Sequence, residues 1–186
     1  MKWIILVTII LGVVWLSKRS KTATSKPKLS QKNRGKSDQE SRTYVTRQDL
    51  SVEPDDVFQT WTSGTLSEMV KALEKKANLI DRHFLLMGIV DQTYKNRNDP
   101  EHAELLRKVA EIHLAEFSKI KPALKKEMDG ILPRVTTFQK YATFLTENGE
   151  YEKAIEVCEQ AITHGLHDGT KSGFEGRIDR IKLHIE

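Results

Sequence analysis

From Leu66 onward the apolar residues recur at steps of three and four, the spacing that gathers side chains on one face of an α-helix. Leu66, Met69, Val70 and Leu73 form the first stripe, with Lys71, Lys75 and Lys76 off it. Thr65-Leu66-Ser67-Glu68 has the form of a capping box, which announces the helix start. A second helix is expected from Ile80 to Asn96, with Phe84, Met87, Gly88 and Tyr94 marking it. A third opens at Pro100, where a first helical turn tolerates proline. It continues through Ala103, Leu106, Ala110, His113, Phe117, Ile120, Leu124 and Met128, with a bend expected near Pro122 and an end at Asp129-Gly130.

The clearest signal is Leu132–Leu166, which reads as two antiparallel helices over Pro133–Glu147 and Tyr151–His164, broken by Asn148-Gly149. Phe138, Tyr141, Ala142 and Leu145 line the first, and Ala154, Ile155, Cys158, Ala161 and Ile162 the second. Gly165 with Leu166 fits a left-handed helix terminus. A turn-rich connector follows, and Phe174, Ile178, Ile181 and Ile185 trace a last helix with Arg177, Arg180 and Lys182 off its stripe. Ahead of all these, Val57, Phe58 and Trp61 within Pro54–Gly64 should lay an aromatic onto the domain edge. The expected fold class is all-α, with about five to six helices.

The N-terminus follows another rule. Trp3–Leu16 is apolar without a charge: Trp3, Ile4, Ile5, Leu6, Val7, Ile9, Ile10, Leu11, Val13, Val14, Trp15 and Leu16, with Thr8 and Gly12 between. At ~1.5 Å per residue such a run spans roughly 21 Å, short of the ~30 Å hydrocarbon layer. Snorkelling by Lys2 and Lys18 closes much of that gap, and the two tryptophans stand where interfacial aromatics belong. A single transmembrane anchor over residues 1–17 is the expectation. A cleaved secretion signal fits less well, because charges follow the core at once and Thr22-Ala23-Thr24 is a poor cleavage site.

Charge then sets orientation. Segment 17–47 holds ten Lys/Arg against Asp38 and Glu40, so with the whole chain at +4 the remainder is acidic. Positive charge stays on the cytoplasmic side, which places the C-terminal body at the cytoplasmic face of a cell membrane (in a bacterium, N-terminus out and domain in). Residues 18–53 are too polar to offset their ordering entropy and read as a disordered basic linker. Attraction to anionic lipid is one role for it, worth ~1 kcal/mol per Lys/Arg near a surface. Nucleic-acid binding through this segment is an alternative, weakened by the absence of such charge from the folded body. Residues 54–186 form the helical domain.

No catalytic constellation emerges, and no cofactor or metal is expected. Cys158, the single cysteine, lies on an apolar stripe and reads as a small buried hydrophobe. His113 falls on the stripe of the long helix as a core residue, too far from His102 to share a metal. His164, His167 and Asp168 sit at a helix end, where histidine usually meets terminal carbonyls. Gly165–Ser172 has the wrong spacing for a phosphate loop and follows a helix where a strand is required. Asp55-Asp56 has nothing to desolvate it.

Phe138, Tyr141, Ala142, Leu145, Ala154, Cys158 and Ala161, with Asn148-Gly149-Glu150-Tyr151 between the helices, resemble a tetratricopeptide repeat, a 34-residue helix–turn–helix motif. A weaker second copy covers Asp81–Phe117. The usual terminal proline is replaced by Leu166. The resemblance implies stacked antiparallel helix pairs whose first helices line a groove for a peptide or partner protein. By position that groove would present Arg82, Leu85, Ile89, Gln92, Thr136, Gln139, Thr143 and Thr146. The expected function is a membrane-anchored protein–protein interaction module without catalysis; the alternative is an exported helical protein or enzyme.

Overall fold

A computed structural model describes residues 44–47 and 50–186, and the anchor expected over residues 1–17 lies outside them together with most of the linker. Among the described residues no helix is long and apolar enough to cross a membrane. They are mostly helical. Seven helices follow in order: α1 (Asp56–Ser63), α2 (Leu66–Ala72), α3 (Leu79–Lys95), α4 (Pro100–Glu127), α5 (Thr136–Glu147), α6 (Tyr151–Thr163) and α7 (Gly173–Lys182). A two-stranded antiparallel hairpin, β1 (Val45–Arg47) and β2 (Leu50–Val52), precedes them.

Local chemistry fixes the helix starts. Asp55, Thr65, Asn78 and Asp99 each accept a backbone N–H of the first turn, and Thr65 with Glu68 completes the capping box. Pro100 opens α4, and Pro122 lies inside it without ending it. At the end of α6, Gly165 takes φ +71°, and the N–H groups of Gly165 and Leu166 close on Ile162 and Ala161 at 2.8 and 2.9 Å. Gly149, at φ +75°, turns α5 into α6.

α3 packs against α1, α2, α4 and α5, so most of its surface is covered. The first turn of α3 meets the middle of α4 through Arg82–Glu116 and His83–His113, with partner numbers falling as α3 advances, so the pair is antiparallel. α5 then packs on both α3 and α4, α6 on α5, and α7 on α6. Phe117 of α4 and Phe138 of α5 meet edge to face at 5.2 Å in the centre of the core.

Three expectations change here. The stretch expected as linker through Glu53 contributes the hairpin, held to α3 by Arg47. Within Pro54–Gly64 the chain forms α1, a helix not expected there, which buries Val57 and lays Trp61 on Phe84 at 4.7 Å as the aromatic expected at the domain edge. The first helix of the central pair begins at Thr136 rather than Pro133, because Val135 is extended at φ −101° and ψ 96°.

Candidate functional site

The eight residues expected to line a groove divide by burial. Leu85 and Ile89 are fully buried, so their side chains serve the core and cannot face a partner. Arg82 is committed inward: Nε and Nη2 donate to Glu116 at 3.0 and 2.9 Å, and Nη1 to the Leu73 carbonyl at 2.6 Å. Gln92 is half-buried. Thr136 donates to Asp91 of α3 at 2.7 Å, and Gln139 accepts from Arg134. Thr143 and Thr146 come together on the face that α5 turns toward α7.

That face is continuous across three helices. Asp91 takes both the Thr136 hydroxyl and Lys140 Nζ, joining α3 to α5. Arg97, just beyond α3, stacks over Tyr94 at 4.1 Å and grips both Glu147 oxygens at 2.6 and 2.9 Å. From α7, Arg177 Nη1 donates to Thr143 Oγ1 at 2.9 Å and Nη2 to the buried Asp168 at 3.2 Å. Between α5 and α7 lies a cavity of about 230 Å³ lined by Thr143, Thr146, Glu147, Arg177, Arg180, Ile181 and His184. Glu147 and the last four lie outside the expected groove. Arg177, Arg180 and Ile181 share a face of α7 and His184 follows one turn on, whereas the sequence pattern places Arg177 and Arg180 only off the apolar stripe.

A second polar cluster lies in the core. His83 Nδ1 meets His113 Nε2 at 2.9 Å, and His113 Nδ1 meets Thr137 Oγ1 at 2.8 Å, chaining α3 to α4 to α5. All three residues are fully buried, and His83 Nε2 has no partner. If each Nδ1 carries the proton and donates along the chain, the unpartnered atom is a bare lone pair, less costly to bury than an N–H. Burial lowers the His83 pKa to about 4 and drives that of His113 well below the ordinary histidine range, with His83 and Arg82 adding to the effect on His113.

Asp81 forms a third cluster. Almost fully buried, it accepts from Arg47 Nη2 at 2.7 Å, from Trp61 Nε1 at 2.9 Å and from Asn78 Nδ2. Burial alone would raise its carboxyl pKa; the donors from Arg47, Asn78 and Trp61 outweigh it and hold the pKa below the usual value. These contacts seat the hairpin and α1 on α3.

The single thiol is enclosed, while His164 is half-buried and His167 exposed. The Cys158 thiol is buried and pushed up to about 12 by that burial, with Asp168 and Glu159 adding and Arg177 and Arg180 opposing. His164 packs its ring on Phe117 at 5.0 Å, and His167 accepts from the Gly169 N–H at 2.8 Å. Among the described residues no group of three or more His, Cys, Asp or Glu is placed to hold a metal. Comparison with known proteins returns no match to a family model, a curated protein or a solved structure.

Proposed function

We propose that this chain is a membrane-tethered interaction module, whose tetratricopeptide-like body offers the α3–α5–α7 face to a protein partner at the cytoplasmic side of the membrane. The observation that carries the reading is the cavity between α5 and α7, set in a polar face that three successive helices share. The antiparallel α3–α4 pair and the short α5–α6 connection support the repeat-like part. The charge-free run Trp3–Leu16 and the basic segment behind it support the tether. Burial of Cys158, His83 and His113 supports reading the module as one that binds rather than catalyses.

Carbonate-washed membranes should retain the full-length chain. Chemical crosslinking on those membranes should recover a defined partner that is lost from Gln139→Lys and Thr146→Arg variants but kept by Lys119→Glu, a change on the exposed side of α4. A chain that washes free, or a partner indifferent to both α5 changes, contradicts the proposal.

A further inference from the structure

Resting on that reading of the α3–α5–α7 face, we propose that the cavity between α5 and α7 receives a Glu or Asp side chain from an extended acidic segment of the partner. Size comes first. At about 230 Å³ the cavity falls below the ~300–1,000 Å³ of clefts that enclose small molecules, so it suits one side chain of a larger partner.

Charge then selects the side chain. The carboxylates on this face are already engaged: Asp91 by Thr136 and Lys140, Glu147 by both arms of Arg97, and Asp168 by Thr170 and Arg177. On the α7 wall Arg177 is balanced by Asp168, and Arg180 is the cation whose hydrogen bond goes to an uncharged acceptor. Exposed Arg180 donates to Ser172 Oγ at 3.3 Å, a long bond. His184 stacks on Tyr151 at 5.5 Å beside the two arginines, and the nearly buried Ile181 gives an apolar floor for a methylene stem. A guanidinium binds a carboxylate in a fork that an amide matches poorly, and the same cations repel a Lys or Arg in that position.

The test titrates the full-length, isotope-labelled protein with three end-capped peptides that differ only in a central Glu, Gln or Lys. The Glu peptide should shift the NMR signals of Thr146, Arg180, Ile181 and His184, and bind at least about tenfold tighter than its Gln twin, the ratio that ~1.4 kcal/mol gives. Arg180→Gln should erase that preference, and Arg180→Glu should transfer it to the Lys peptide. Equal binding of Glu and Gln peptides at the cavity overturns the acidic preference and leaves the groove standing. Shifts confined to other surfaces, or no shifts with any peptide, also overturn it; whether the groove falls too is then read from the crosslinking with Thr146→Arg.

Discussion

Arg47→Ala should destabilise the protein by about 3–5 kcal/mol, measured by urea unfolding of the full chain at neutral pH. The arginine lies at the end of β1, and its guanidinium is only 14% exposed where it meets Asp81, itself 2% exposed. Most surface ion pairs contribute less than ~1 kcal/mol. This one differs because its removal leaves a buried carboxylate with only the neutral donors Trp61 and Asn78. Arg47 also covers the Phe58 ring at 5.2 Å and lies 3.6 Å from Glu127, so the same change loosens α1 and the end of α4. Adding Asp81→Asn should recover part of the loss, since it removes the stranded charge while keeping a hydrogen-bonding side chain. If the double variant is as unstable as the two single losses combined, the buried charge is not the cause.

Acid should weaken the fold in two separate windows. Below about pH 6.5, where histidine in an unfolded chain begins to protonate, the folded state still holds His83 and His113 neutral. The unfolded chain therefore binds more protons, and stability falls with pH until His83 titrates at about 4. At ~1.36 kcal/mol per unit, His83 alone accounts for a loss of about 3 kcal/mol across that window, and His113 adds to it. Asp81 acts later and for the opposite reason. Its lowered carboxyl contributes stability above the unfolded value near ~3.9, and that contribution disappears only as pH falls through the folded value. Replacing His83 and His113 with Leu and Thr137 with Val removes every donor and acceptor of the chain together, so the fold should survive at pH 7 and lose most of its slope between pH 6.5 and 4.5. An unchanged slope in that variant would mean that other groups set the acid response.

Helix existence was legible in the sequence wherever one face is apolar and the other wet. α2, α4 and α6 are of this kind, and the Thr65–Glu68 capping box and Pro100 mark starts that the structure keeps. α3 is the exception that displaced half of the expected groove. It packs against four other helices, with Ile80, His83, Leu85, Leu86, Ile89 and Val90 all fully buried. With apolar residues nearly all round, periodicity cannot rank its faces, so it gives no check on the groove positions that the repeat resemblance implies for Leu85 and Ile89, and no sign of His83 in the core. The hairpin was missed for a different reason. Its three-residue strands are too short to show alternation, and it is held by Arg47 reaching a residue 34 positions away, a contact that local composition does not carry. α1 did leave a signal in Val57 and Trp61, four apart behind a capping Asp55, but at eight residues it was too short to stand out.

The most direct test places a photo-crosslinking amino acid at Thr146, inside the cavity, and separately at Lys119, on the exposed side of α4, in full-length protein in its native membrane. Illumination should give one defined adduct from Thr146 and none from Lys119. Adducts of equal yield from both positions, or none from Thr146, would contradict an interaction face built from α3, α5 and α7.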